Sequence, residues 1–260
     1  NQSLIDILTQ HFFRNMPTHF VFGYFYVYLD YFYPKGGTGT FAELLSQKFT
    51  QEGGQINLNK RIARIIPAES KVIDAEGTDY HYDHLIWAAD LKAFYNNLET
   101  TGLDTQTISK YEYEKRKILS SKGAESVFIM NLGVNRPSSY FKAQGGEHLF
   151  FTPSKQGLGE TNRMQRVKLI EDFTQNSKSE VIQWLNRYCD QTTYEISIPV
   201  LRDNSLAPEG QTGVMVSCLF DYQLIKMVEN AGWYDEIKEQ LEKRVISILS
   251  KTIYKDIEKD

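Results

Sequence analysis

Apolar residues along this chain recur every three or four positions in some stretches, alternate in others and run together in a few, and these patterns predict helices, one-sided strands and fully buried elements respectively. Residues 3–14 show the first pattern, with Leu4, Ile5, Leu8 and Phe12 on one face, Ser3 placed to cap the start and Pro17 to close the segment. From His19 to Tyr33 aromatics are so dense that periodicity does not separate a strand from a buried helix. Packing in a core or domain interface is the plain reading of that stretch. An aromatic wall for a greasy ligand, with Phe25, Tyr28 and Tyr33 in it, is the functional one.

Beyond the glycine turn Pro34-Lys35-Gly36-Gly37-Thr38-Gly39, Phe41, Leu44, Leu45 and Phe49 predict a helix ended by Gly53-Gly54. A short strand is expected at Gln55–Asn59 and an extended segment through Ile62, Ile65 and Ile66 to Pro67. Lys71–Ile73 and Thr78–Tyr82 form a hairpin around Ala75-Glu76-Gly77. The uninterrupted apolar run His84–Ala89 predicts a strand buried on both faces, as in a parallel sheet.

After Leu91 the pattern changes. Residues 93–98 and 108–118 are helical or loop segments, and the mixed charges from Lys110 to Lys117 make a solvated face. Strands are expected at Ser126–Leu132, Glu147–Thr152, Thr192–Val200 and Gly213–Phe220, and an amphipathic segment or strand at Val181–Tyr188. Asp203–Gly210 has turn chemistry throughout. The last helix follows Trp233 and carries Ile237, Leu241, Val245, Ile248 and Leu249 on one stripe. This half reads as antiparallel strands with helices.

Composition narrows the function. With 41% hydrophobic and 13% aromatic residues in 260, the chain buries a full core, and its net charge of -4 gives no electrostatic reason for a nucleic-acid partner. No run of about 18 uncharged apolar residues occurs. Cys189 and Cys218 lie far apart without a CxxC spacing, which suits ordinary core positions in a reducing, cytoplasmic compartment. Asn1 at the start, and an end directly after a helical pattern, suggest an excised segment. The five histidines form no HxxxH or HExxH pair, so no metal site is expected, and no GxSxG elbow is present. No catalytic residue can be assigned from spacing.

Gly37-Thr38-Gly39-Thr40-Phe41-Ala42 fits G-x-G-x-x-[G/A] and leads into a helix, the geometry that presents backbone N–H groups to a pyrophosphate. Pro34 makes a poor strand end ahead of it, and Asn57-Leu58-Asn59 stands where a ribose-binding Asp or Glu belongs. A primary dinucleotide site is therefore disfavoured here.

The order of the pieces is more informative than any single one. Tyr33-Pro34-Lys35-Gly36-Gly37, a helix with Leu44 and Leu45, Gly53-Gly54-Gln55-Ile56-Asn57-Leu58-Asn59, Ile62-x-x-Ile65, a hairpin with Glu76-Gly77, and Asp83 followed by Leu85-Ile86-Trp87-Ala88-Ala89-Asp90 resemble the middle of the phytoene desaturase, carotenoid isomerase and retinol saturase family. Ser126-Val127-Phe128 and Asp203-Asn204-Ser205-Leu206-Ala207-Pro208-Glu209-Gly210 are similar to later parts of the same proteins. These are FAD-dependent enzymes of the wider amine-oxidase-like superfamily. The resemblance implies an α+β chain, an α/β flavoprotein fragment that combines part of a Rossmann-like FAD domain with an antiparallel-sheet substrate domain. Residues 1–33 would belong to the substrate or cap domain, 34–92 to the middle of the FAD domain and 93–260 to the substrate domain. It also implies main-chain contact between Ile62 and the adenine end of FAD, and a place near the cofactor for Ala88 and Ala89. The family's N-terminal G-x-G-x-x-G and C-terminal glycine-rich segment have no counterpart in these 260 residues. The expectation is an inactive piece of an oxidoreductase for a polyene or isoprenoid substrate, which does not itself retain FAD and has the remaining FAD-domain segments as its partner. A greasy substrate would also bring peripheral membrane contact, although no basic amphipathic helix is present to provide it. The alternative is a standalone hydrophobic-ligand or protein-binding module without redox chemistry.

Overall fold

A computed structural model describes residues 1–13, 16–27, 32–121 and 126–260, the side chains of Phe25 and Thr161 being outside the description. Two units are distinguished, Asn1–Leu44 with Ala124–Asp260, and Leu45–Gly123. Helix α1 covers Gln2–Thr9, α2 Thr18–Val27 and α3 Gly39–Gln51. The cap of α1 is Asn1, whose side chain accepts the Ser3 N–H at 3.1 Å; the helix starts ahead of Ser3, which leaves Ser3 inside its first turn. The aromatic stretch is helical as far as Val27, and Tyr28 lies outside the described residues.

In the smaller unit, β1 (Ile62–Ile66), β2 (Lys71–Asp74) and β3 (Asp79–His81) form an antiparallel sheet in that order, and α4 (Leu91–Asn97) and α5 (Thr105–Ser120) follow. Asp74, only 3% exposed, closes the hairpin: its Oδ1 accepts the N–H groups of Glu76 at 3.0 Å and Thr78 at 2.8 Å, and its Oδ2 accepts the Tyr80 hydroxyl at 3.0 Å. Ile65, Ile66, Val72 and Ile73 are its buried apolar residues.

Two strand expectations fail in this unit. Gln55–Asn59 and His84–Ala89 join no ladder; among the described residues the backbone there has no neighbouring strand to bond with, and an isolated extended segment is not a strand. Their apolar side chains are consequently left in solvent, Ile86 at 89% exposure and Leu58 at 75%. The stripe of α3, from Phe41 to Phe49, is exposed as well.

The larger unit continues with β4 (Ser126–Val134), α6 (Ser138–Gln144), β5 (His148–Phe151), α7 (Gly159–Glu171), α8 (Lys178–Gln191), β6 (Tyr194–Ser197), β7 (Thr212–Phe220), α9 (Tyr222–Asn230) and α10 (Tyr234–Lys251). Its strands form an antiparallel sheet in the order β4-β7-β6-β5. Strict alternation along β7 sends Thr212, Val214, Val216, Cys218 and Phe220 to a face closed by helices, where they join Val181, Trp184 and Leu185 of α8 and Ile237, Leu241 and Val245 of α10 in one core. Residues 181–188 are thus helical, as the capping box between Ser177 and Glu180 dictates. Helices and antiparallel sheets together make this an α+β chain. Among the described residues no helix is long and apolar enough to cross a membrane.

Candidate functional site

The second face of the four-stranded sheet is half-buried along β5, β6 and β7 and exposed along β4, and its residues follow from the same alternation. Register sets His148 against Ser197, Phe150 against Glu195, Glu195 against Ser217, and Ser197 against Met215. Ile129 and Asn131 of β4 continue the row opposite Ser217 and Met215. A polar and titratable strip therefore crosses a sheet whose reverse side is dry.

At one end of the strip a carboxylate is gripped from several directions. Glu195 Oε2 accepts the Tyr24 hydroxyl at 3.0 Å and lies 3.4 Å from His11 Nε2, while Oε1 lies 3.1 Å from His148 Nε2. His11 Nε2 also lies 3.3 Å from the Tyr24 hydroxyl. Phe150 meets the His11 ring edge-on with centroids 4.6 Å apart, and Phe12 meets Tyr24 in the same way at 5.6 Å. The polar atoms thus sit within aromatic walls, where hydrogen bonds to a charged group are stronger than in water. Gln10 anchors the same segment, giving its amide to the Gln191 carbonyl at 3.0 Å and the Thr193 hydroxyl at 2.6 Å and accepting the Leu158 N–H at 2.8 Å. Gly157 allows this close approach: it holds a φ of +68°, and a Cβ there would lie 2.9 Å from Gln10 Oε1.

Beside this anchor, α1 and α2 roof a cleft of about 630 Å³. Leu8, Phe12, Phe13 and Phe22 line one side, and Leu158, Tyr188 and Leu219 the other. Three charged residues line it as well: Arg163 Nη1 lies 3.0 Å from Glu160 Oε2, Arg166 Nη1 3.5 Å from Asp221 Oδ2, and Asp6 Oδ1 accepts the Gln2 amide at 2.8 Å. The cleft is thus walled by aromatic and aliphatic side chains with polar and charged groups among them.

Of the aromatic candidates, Tyr33 borders a separate groove with Lys35 and residues 200–204. Tyr28 and the side chain of Phe25 lie outside the described residues. Ile62 opens β1, and Ala88 and Ala89 are exposed in the unladdered stretch. No ladder brings Ile62 together with the alanine pair. The Glu195 cluster was not apparent from sequence, because its members come from the turn after α1, from α2, from β5 and from β6, and are joined by strand register and by the packing of the first two on the sheet. Among the described residues no group of His, Cys, Asp and Glu is arranged to hold a metal.

The residues facing a would-be dinucleotide do not by themselves make a grip for FAD. In the glycine turn the Gly36 N–H is bound at 2.6 Å by Asp203 Oδ2, and the Gly37 N–H at 3.0 Å by the Pro34 carbonyl. The turn thus already holds an anion, one supplied by its own chain. On the outer edge of β1, the Ile65 carbonyl accepts the Glu99 N–H at 2.9 Å and the Ile62 carbonyl faces Asn97 Nδ2 at 3.4 Å.

No protein-family profile matches the chain. A stretch of 216 residues, 82% of the chain, is 27% identical to 4,4'-diapophytoene desaturase (4,4'-diaponeurosporene-forming) of Staphylococcus aureus strain Newman, and the same figures hold for strain USA300. The match covers 37% of the desaturase, so the chain spans little more than a third of the length of these relatives. Among solved structures, reduced UDP-galactopyranose mutase aligns at 12% identity with a TM-score of 0.46, covering 82% of this chain and 45% of the mutase. A Pyrococcus furiosus protein aligns at 15% identity with a TM-score of 0.43, covering 79% and 40%. Scores at this level do not establish a common fold.

Proposed function

We propose that this chain is part of an FAD-dependent oxidoreductase that acts on a hydrophobic polyene or isoprenoid substrate by desaturation, isomerisation or saturation. The observation that carries this reading is the 27% identity to a carotenoid desaturase sustained over 82% of the chain. The aromatic and aliphatic walls of the cleft under α1 and α2, with both its arginines held by carboxylates, support a greasy substrate. The unladdered segments and the exposed stripe of α3 are what an incomplete FAD domain would leave behind, since strands of a parallel sheet need neighbours on both sides. In this reading residues 34–92 are the middle segment of that domain, its remaining segments are the principal partner, and Ile62, Ala88 and Ala89 approach FAD only in the intact parent. FAD would supply the hydride chemistry there, while this chain orients substrate and excludes water.

Peripheral membrane contact is part of the same proposal. Helix α2 has no Asp, Glu, Lys or Arg and exposes Phe20, Phe22, Tyr26 and Val27, and α1 exposes Leu4, Ile5 and Leu8.

The test has two arms. Purified after desalting, the chain should carry no stoichiometric flavin absorbance and show no turnover. The coding sequence on either side should contain a G-x-G-x-x-G upstream and a glycine-rich block downstream. A bright yellow chain would overturn the statement that this piece does not retain FAD, and flanking sequence lacking both motifs would overturn the oxidoreductase reading. One observation favours a standalone hydrophobic-ligand module instead: the cleft is lined entirely by residues of the larger unit. Flanking sequence without the two motifs, combined with ligand binding by the isolated chain, selects that alternative.

A further inference from the structure

Among the described residues β4 lies at the edge of its sheet, and the strand itself carries no bulge, charge or proline to protect that edge. Its nine residues pair with β7 without interruption from Ser126 opposite Phe220 to Val134 opposite Thr212, so no bulge turns the edge away. Ser-Val-Phe-Ile-Met-Asn-Leu-Gly-Val contains no charge and no proline. Among the described residues no strand lies on its outer side, and Val127 and Ile129 remain 45% and 55% exposed. Edges of this length and composition are covered in stable proteins, because a row of free N–H and C=O groups beside apolar side chains is a template for another strand. A groove of about 760 Å³ runs along β4 beside α9 and α10, lined by Tyr222, Tyr234, Ile237 and Leu241.

We propose that β4 pairs antiparallel with β4 of a second copy of this chain, joining two sheets into one across a two-fold axis at Met130. Self-pairing centred there is consistent on both faces, because partners share parity. On the closed face Phe128 meets Leu132 of the other copy, and Met130 meets its own equivalent, so apolar residues extend the dry side. On the other face Val127 meets Gly133 and Ile129 meets Asn131, which sets each large side chain against a smaller or polar one. Lys238 and Glu242, one turn apart on α10, flank the groove. A two-fold reverses their order in the neighbour, so unlike charges can face each other along the seam. Such an isologous contact closes on itself and does not propagate into fibres. It depends only on the chain's own edge and is independent of flavin binding.

Light scattering on the eluting 260-residue chain, across a range of concentrations, tests the proposal. A mass approaching twice 30.1 kDa is expected as concentration rises. Two double variants then read the register through exposed positions that leave the core untouched. Ile129→Lys with Asn131→Lys places like charges directly opposite each other at two symmetric pairs and should raise the dissociation constant about tenfold or more. Ile129→Lys with Asn131→Glu places unlike charges there and should restore the dimer. Circular dichroism checks that both variants fold. A wild-type chain that stays monomeric throughout, or two folded double variants that associate equally, would overturn the proposal.

Discussion

Asp203 accepts the backbone N–H of Gly36 on Oδ2 at 2.6 Å, tying the glycine turn to a second turn 167 residues further along the chain. Its other oxygen takes the Ser205 N–H at 3.0 Å and the Ser205 hydroxyl at 2.7 Å. These donors, the Gly36 N–H first, hold the carboxyl below the usual carboxylate range. A motif that looks like a phosphate cradle in isolation is, in the fold, a joint between two turns.

Asp203→Ala should therefore lower the melting temperature at neutral pH. Because the folded carboxyl titrates below its unfolded value, its contribution is present above the ordinary carboxylate range and is lost as pH falls through the folded value. The gap between wild-type and variant melting temperatures should accordingly narrow on acidification. Gly37→Val provides the complementary test. Gly37 holds a φ of +91°, and the nearest atom to an added Cβ is Leu206 Cδ2 at 3.7 Å, so the cost is conformational and of order 1–3 kcal/mol. An unchanged melting temperature in Gly37→Val would count against the joint.

The hairpin around Asp74 makes a sharper pH prediction. Backbone donation from Thr78, followed by the Tyr80 hydroxyl and the Glu76 N–H, lowers the Asp74 carboxyl from 3.8 to about 2, against the opposing effect of burial. The stability it contributes is complete above about pH 4 and disappears as pH falls through about 2. Amide exchange at Glu76 and Thr78 reads this locally. Protection should fall steeply within that window in the wild type, and should be weak and nearly flat with pH in Asp74→Asn. Equal profiles in the two proteins would remove Asp74 from the account.

This hairpin was legible in the sequence because its turn chemistry and both strands are local. The stripe of α10 and the alternation of β7 were legible for the same reason: one segment's period carries the whole signal. Helix α7 was not, since Met164 and Val167, which a helical stripe would bury, are exposed, and the helix is held by tertiary packing through Leu169. Gln55–Asn59 and His84–Ala89 have strand composition, but composition does not supply a neighbouring strand. The Glu195 cluster needed the pairing of His148 with Ser197 and of Phe150 with Glu195, and register between distant strands is not written in either strand alone.

Both cysteines are buried in the core of the larger unit. Burial, opposed by the Tyr194 hydroxyl, pushes the Cys189 thiol up to about 12, and burial drives Cys218 well above its ordinary value. Thiolate is the reactive form, so neither should react with an aromatic disulfide reagent in the native protein at neutral pH. Two equivalents should appear on denaturation. Rapid labelling of the folded chain would show that the core opens locally.

The cleft under α1 and α2 can be tested without any cofactor, because it carries its own optical reporter. Trp184 is 3% exposed and stacks on Tyr188 with ring centroids 5.2 Å apart, and Tyr188 lines the cleft beside Phe12 and Leu219. A short polyene such as retinol, whose absorption overlaps indole emission, should quench Trp184 on entering, and Trp184→Phe should remove that component and leave the emission of Trp87 and Trp233. Leu8→Asp tests the apolar wall directly. Leu8 is 54% exposed, so the variant should fold, yet it adds a carboxylate to a lining that already holds Asp6 and whose two arginines already have carboxylate partners. Desolvating that charge against a hydrocarbon chain should weaken the polyene about tenfold or more. Quenching of the same strength and midpoint in Leu8→Asp and wild type would place the polyene elsewhere on the protein.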